Sequence, residues 1–367
     1  MTSEGLVQCK SDHSLYVCKI RHLYVCIWVD DIFLFCPRTS LAAARQCWKG
    51  LQQKLSLGDW EDIGDCLGVQ VTRDRPNRTT SLSQAKAFNK LLQATGMANC
   101  SPADTPMVPG TALTKRDCPP ESQPATDRDK QLNYRSVAAS FINFCNWTRP
   151  DLCLSTSKAC RFMHNPGPPH HIALKRMLRY LAGTVDLGLV YKFNPDGSSR
   201  ADKTGVWMML DAAHADCPDT FRTTMAYVGF LDSCPICWQT KLHTLITLAT
   251  NHSEYCAAAK AGREAKWLEK LFVFLGFGNF VLPIDMFSDS KGSIAMTYNP
   301  VNRAATKHIA LADHYVRELQ ELGTVTVSWI STKQMIADLL TKPLGREDFE
   351  RLRAWLVDKI KQIKNGD

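Results

Sequence analysis

Four acidic residues in the last third of the chain stand where one element of sequence gives way to the next. Asp211 ends the apolar run Gly205-Val-Trp-Met-Met-Leu-Asp211, and Glu254 lies in Asn251-His-Ser-Glu-Tyr-Cys-Ala-Ala258. Asp289 lies in Met286-Phe-Ser-Asp-Ser-Lys-Gly-Ser-Ile294, and Asp338 in Met335-Ile-Ala-Asp-Leu-Leu340. Hydrolysis of a phosphodiester can use two divalent cations about 4 Å apart, one activating water and one steadying the leaving oxygen. Three or four carboxylates must converge from separate elements to hold both ions. Singly, each acid has an ordinary reading. Asp289 could cap a helix and Asp338 could sit on a solvated face. Glu254 begins the stripe Ala258, Ala261, Ala265, Leu268 and Phe272, which faces a sheet. There its charge needs a cation, a neighbouring arginine or a shifted pKa.

A second acidic pair, Asp30-Asp31, lies between the apolar runs Leu23–Trp28 and Ile32–Cys36. This is a strand–turn–strand pattern. Aspartate is at home in turns, and a rigid hairpin could equally hold carboxylates beside a metal-bound phosphate.

The elements that must position the four C-terminal acids are legible as hydrophobic patterns. Residues 204–345 read as a strand ending at Asp211, then strands over 224–231, 236–240 and 245–249. A helix follows from about Ser253 to Leu275, then a strand over 283–288 with Asp289 at its exit. A helix over 306–322, a strand over 324–330 and a short helix carrying Asp338 complete the unit. Upstream, residues 134–144 and 170–183 read as helices. In the latter, Lys175, Arg176 and Arg179 lie off the Leu174, Leu178 and Leu181 stripe, as either a solvated face or a nucleic-acid contact. His170 and His171 read as surface residues. Residues 107–130 read as an exposed connector.

At 367 residues the chain should hold two or three units, and its 45% apolar content suffices for real cores. The formal charge of +8 makes a polyanionic partner plausible. The 15 cysteines are scattered, which fits reduced thiols in an intracellular, cytoplasmic protein. Cys234-Pro-Ile-Cys237 has no partner pair and reads as strand packing rather than a zinc site. No signal peptide opens the sequence, and no apolar run reaches the ~18 residues that span a bilayer, so no membrane is expected.

The succession of motifs resembles the Pol polyprotein of copia-type LTR retrotransposons, at the end of the reverse transcriptase and the ribonuclease H domain. The resemblance is carried by Trp28-Val-Asp-Asp31, Leu67-Gly68, Leu82-Ser-Gln84, Asn99-Cys-Ser-Pro-Ala-Asp-Thr-Pro106 and Leu210-Asp-Ala-Ala-His-Ala215. Thr250-Asn-His-Ser-Glu-Tyr255, Asn299-Pro-Val301, Thr306-Lys-His-Ile309 and Ile336-Ala-Asp-Leu-Leu-Thr-Lys-Pro343 extend it across the chain. It implies an α/β (overall α+β) fold, with a ribonuclease H-like mixed five-stranded sheet and helices. The implied division is a palm remnant with a primer-grip-like hairpin (1–75), a thumb-like segment (76–106), a linker (107–133) and a helical connection segment (134–203). A ribonuclease H-like domain (204–345) and a C-terminal helix (346–367) follow.

The resemblance further implies Mg²⁺-dependent cleavage of the RNA strand of RNA–DNA hybrids with two ions. Asp211 would sit between both ions, Glu254 would bridge a metal and the scissile region, and Asp289 and Asp338 would complete the shells. Lys175, Arg176 and Arg179 are the candidate nucleic-acid contacts, and a full-length Pol subunit is a candidate partner. Only 29 residues precede Asp30, so Asp30 and Asp31 lack the family's third polymerase acid and read as a vestige without polymerase activity. Ala213 and His252 replace usual acids of the family at companion positions. Ser331-Thr-Lys333 makes a shortened loop without the histidine of cellular enzymes. The alternatives are an inert remnant that only binds nucleic acid, or another activity hosted by the same fold, such as an integrase or a junction resolvase.

Overall fold

The structure, a computed structural model, describes residues 5–120, 132–193, 204–298 and 310–360. The motifs at 299–301 and 306–309, His308 among them, lie outside the described residues, as does part of the expected connector.

The N-terminal strands β1 (Val7–Gln8), β2 (Leu15–Cys18), β3 (Leu23–Trp28) and β4 (Asp31–Phe35) form an antiparallel sheet in that order. Helix α1 (Leu41–Gln52) packs on it. Ala44, Cys47 and Leu51 recur at helical spacing and meet Leu23 and Val25, which alternate along β3.

A second sheet is assembled from distant parts of the chain. Strands β5 (Asp65–Cys66), β6 (Val69–Asp74) and β7 (Thr79–Ser83) run antiparallel. The turn joining β5 and β6 is Leu67-Gly68, both with positive φ, the geometry a two-residue hairpin requires. Helices α2 (Ala85–Ala94), α3 (Tyr134–Trp147), α4 (Cys153–Cys160) and α5 (Pro168–Ala182) follow. Strand β8 (Leu187–Lys192) then pairs with β7.

The third sheet comprises β9 (Val206–Ala213), β10 (Thr224–Leu231), β11 (Cys234–Leu242), β12 (Ile284–Ser288) and β13 (Val325–Trp329). Its order is β11-β10-β9-β12-β13. The β9–β10 and β10–β11 pairs are antiparallel; β9–β12 and β12–β13 are parallel. This is the five-stranded mixed sheet of a ribonuclease H-like fold. Strand β9 is buried on both faces, which is why its sequence is continuously apolar. Val206, Met208 and Leu210 pack beneath α6 (Thr250–Leu275), while Trp207 and Met209 join the core shared with α3 and α5. Helices α7 (Lys291–Tyr298), α8 (Ala310–Glu321), α9 (Asp338–Thr341) and α10 (Arg346–Arg353) complete the unit.

Three elements differ from the sequence expectation. The single helix expected over 346–367 ends at Arg353, and β14 (Asp358–Lys359) returns to pair with β8. The helical segment 134–203 likewise contains a strand, β8. The sheet β14-β8-β7-β6-β5 therefore crosses the expected segment boundaries. Residues 245–249 form no strand. Thr247 is drawn inward by hydroxyl partners, leaving Leu245, Ile246 and Leu248 exposed. Among the described residues, no helix is long and apolar enough to cross a membrane.

Candidate metal centre

Asp211 lies on β9 in register with Ala226 of β10 and is fully buried. Alternation along β9 puts it on the face of Trp207 and Met209, toward α9. Strand β12 runs parallel to β9, so its exit delivers Asp289 to the same end of the sheet. Asp338 opens α9. One carboxylate oxygen from each of Asp211, Asp289 and Asp338 lies within 4.8 Å of the other two.

Glu254 stands beside this triad, not within it. It is buried near the start of α6, and its Oε2 atom finds no hydrogen-bond partner among the described residues. Burial, then the charges of Asp211 and Asp289, push its carboxyl up to about 9. The charge of Lys342, and then a hydrogen bond with the Ala212 backbone, only partly offset this. The expected set of four acids is thus present as three convergent aspartates and one adjoining glutamate.

The start of α6 is fixed by a buried polar network. The hydroxyls of Thr223, Thr247 and Ser253 lie 2.7–3.1 Å from one another, and His214 Nδ1 lies 2.7 Å from Ser253 Oγ. These contacts hold the residue next to Glu254 and so set where its carboxyl can reach. Asp289 accepts a hydrogen bond from Thr332 Oγ1 at 2.7 Å, so the short Ser331-Thr-Lys333 loop steadies a site acid.

One participant was not foreseen. The Lys342 ammonium lies 2.7 Å from Asp338 Oδ1 and 3.2 Å from Asp211 Oδ1. Thr341 Oγ1 donates to the other oxygen of Asp211. Burial works against the Lys342 charge, but Asp211 and Asp338 outweigh it and hold the ammonium protonated well above the usual lysine range. Asp338 is pushed up to about 6 by burial and by Asp211, with Lys342 opposing. The i, i+4 spacing of Asp338 and Lys342 was the available signal. The donor set is all oxygen, which suits a hard divalent cation such as Mg²⁺ or Mn²⁺. Three convergent carboxylates and a buried glutamate beside them fit the donor set such a cation requires.

The other predicted site residues lie elsewhere. Asp30 and Asp31 sit exposed at the β3–β4 turn, in a different sheet, and join no such acidic cluster among the described residues. Two of the three basic residues of α5 bond to the 101–105 segment. Arg176 Nη2 bonds Thr105 Oγ1 at 2.9 Å, and Arg179 bonds the carbonyls of Ser101 and Pro102. Lys175, Arg176 and Arg179 are all half-buried. His170 and His171 are buried rather than superficial. His170 stacks on Phe162 and accepts the Gly167 N–H.

No protein-family model matches the chain. It is 31% identical over 348 residues, 94% of its length, to the retrovirus-related Pol polyprotein from transposon RE2 of Arabidopsis thaliana. The chain belongs to the copia-type retrotransposon Pol family. The Pol polyprotein from transposon TNT 1-94 of Nicotiana tabacum is 30% identical over 95% of this chain. The chain spans 22% and 26% of the lengths of these two Pol relatives. Among solved structures, the N-terminal ribonuclease H domain of Rv2228c from Mycobacterium tuberculosis, fused to maltose-binding protein, covers 41% of the chain and 98% of its own. That pairing has 11% identity and a TM-score of 0.29; the fold assignment rests on the sheet topology of this Pol segment.

Proposed function

We propose that the chain is a metal-dependent ribonuclease H that cleaves the RNA strand of RNA–DNA hybrids. The observation that carries this reading is the convergence of Asp211, Asp289 and Asp338 at the end of two parallel strands, with Glu254 buried beside them. When bound, a pair of Mg²⁺ ions would activate water and stabilise charge on the leaving oxygen. Asp211, Asp289 and Asp338 would hold the ions. Glu254, raised toward neutrality in the free protein, would ionise as cations enter and accept a bond from water or a ligand. Lys342 would leave its two aspartates and remain close enough to face a substrate phosphate. Selection of RNA would come from contacts to 2′-hydroxyls across a shallow minor groove. Family membership supports the choice of a hybrid substrate, and an assembly with a full-length Pol subunit is a compatible setting.

The test is incubation of the purified chain with end-labelled hybrid, double-stranded RNA and double-stranded DNA, with Mg²⁺ or with chelator. Mg²⁺-dependent cutting of the hybrid's RNA strand, lost in Asp289→Asn, is expected. Equal cutting by that variant, or cleavage of double-stranded DNA in preference to hybrid, would remove the reading. Binding of hybrid with no cutting under any divalent metal would favour an inert remnant.

A further inference from the structure

Arg176 and Arg179 bond to the 101–105 segment, whereas four other arginines line an open surface. A concavity of about 730 Å³ lies at the β6–β7 turn, lined by Arg38, Arg73, Arg75, Arg78, Asp74 and Phe193 among others. All four arginines are exposed. The lining carboxylate Asp74 is occupied by the turn itself, accepting from Asn77 N–H and Nδ2. Arg75 shares a solvent-exposed ion pair with Asp62 at 3.2 Å, which screening leaves weak.

Two features suggest a built surface. Arg78 adopts φ +51°, a left-handed conformation that glycine or asparagine takes more readily. Its carbonyl accepts the Phe193 N–H at 3.1 Å, which anchors the residue after β8 against the arginine turn. The Phe193 side chain is 51% exposed. An aromatic face held beside several guanidinium groups matches what a flexible polynucleotide presents, since arginine pairs with phosphate oxygens and a ring stacks any base.

We infer that the Arg38/Arg73/Arg75/Arg78 concavity with Phe193 binds single-stranded nucleic acid, separately from the acidic centre. The ligand's shared chemistry is phosphate charge plus an unstacked base, so RNA and DNA single strands both qualify. The inference does not depend on the cleavage reading, because binding is read without catalysis.

The experiment is fluorescence anisotropy of the full chain with labelled 20-nucleotide single strands, RNA and DNA of one sequence, in chelator at several salt concentrations. Arg73→Ala with Arg78→Ala should weaken binding at least tenfold at low salt, and reduce the log–log salt slope by about 1.4, since each single-strand phosphate contact contributes about 0.7. Phe193→Ala should weaken binding about tenfold, within the range for loss of one base stack, with the slope unchanged. Arg73→Lys with Arg78→Lys should keep the slope, and Lys270→Ala, an exposed charge on α6, should change affinity less than twofold. Because binding is read in chelator, a failure here is distinguishable from a failure of the nuclease reading. Circular dichroism melts confirm that each variant folds. An arginine pair variant binding within twofold of the unaltered chain, an unchanged slope, or tighter binding of intact duplex than of either single strand would overturn the inference.

Discussion

Replacing Lys342 by methionine removes the cation from the acidic centre while keeping a side chain of similar length. The ammonium lies 2.7 Å from Asp338 and 3.2 Å from Asp211. Two unit charges about 3 Å apart attract by roughly 5 kcal/mol at an effective dielectric near 20. The lysine side chain is 40% exposed, so solvent screening and the cost of desolvation leave a net loss of about 1–3 kcal/mol in the metal-free protein. The same quantity reappears with opposite sign in metal binding. An incoming cation no longer displaces an ammonium, so Mg²⁺ affinity should rise about tenfold to a hundredfold, at 1.4 kcal/mol per decade. Isothermal titration with Mg²⁺, paired with thermal melts of the metal-free and metal-loaded forms, measures both. The melting temperature of Lys342→Met should drop without metal and recover with it. Unchanged or weaker metal binding by the variant would refute the reasoning, because Lys342 would then organise the acids rather than compete with metal for them.

Further outcomes follow from the same structure. Glu254 and Asp338 have folded-state values of about 9 and about 6, above ordinary values of 4.5 and 3.8, so the fold favours their protonated forms. Their contribution is complete below pH about 4 and is lost as pH rises through about 6 and then about 9. Metal-free melting temperature should therefore fall across that window and flatten with saturating Mg²⁺; a metal-independent profile would contradict this. Arg149 and Asp151 form a fully buried bidentate pair, which Tyr180 joins through its hydroxyl at 2.6 Å. Arg149→Leu should cost about 3–5 kcal/mol in urea unfolding, and the Arg149→Leu/Asp151→Leu double variant less than either single change, because no lone charge stays buried. Asp289→Asn should abolish hybrid cleavage with little effect on metal-free stability, since Asp289 is only half-buried; a large stability loss would mark a structural role instead.

The acids themselves were legible because their elements are. Val206 to Leu210 can only be a strand buried on both faces, and a strand so buried must carry Asp211 into the interior. The alanine stripe from Glu254 to Ala265 likewise announces the face that meets the sheet. The partners of Arg176 and Arg179 were not legible, because basic residues of a helix look the same facing water as bonding a segment more than seventy residues upstream. His170 and His171 misled similarly: one is held by the Gly167 N–H and Phe162, partners that adjacency does not reveal. Lys342 was hidden in plain sight within Thr341-Lys-Pro343. Its partner Asp338 is local, but Asp211 lies 131 residues away, and only the folded sheet shows that one ammonium reaches both. The sheet linking 65–83, 187–192 and 358–359 is equally non-local, and strand propensity carries no information about which strand comes next.

Crystals of the full chain soaked in Mn²⁺, with diffraction collected at the manganese absorption edge, examine the proposed centre at the level of atoms. Anomalous peaks among the carboxylates of Asp211, Asp289 and Asp338, with Glu254 ligating or hydrogen-bonded to a metal-bound water and Lys342 turned away, are the predicted result. Absence of any peak there at saturating Mn²⁺, with Lys342 still bridging Asp211 and Asp338, would contradict it.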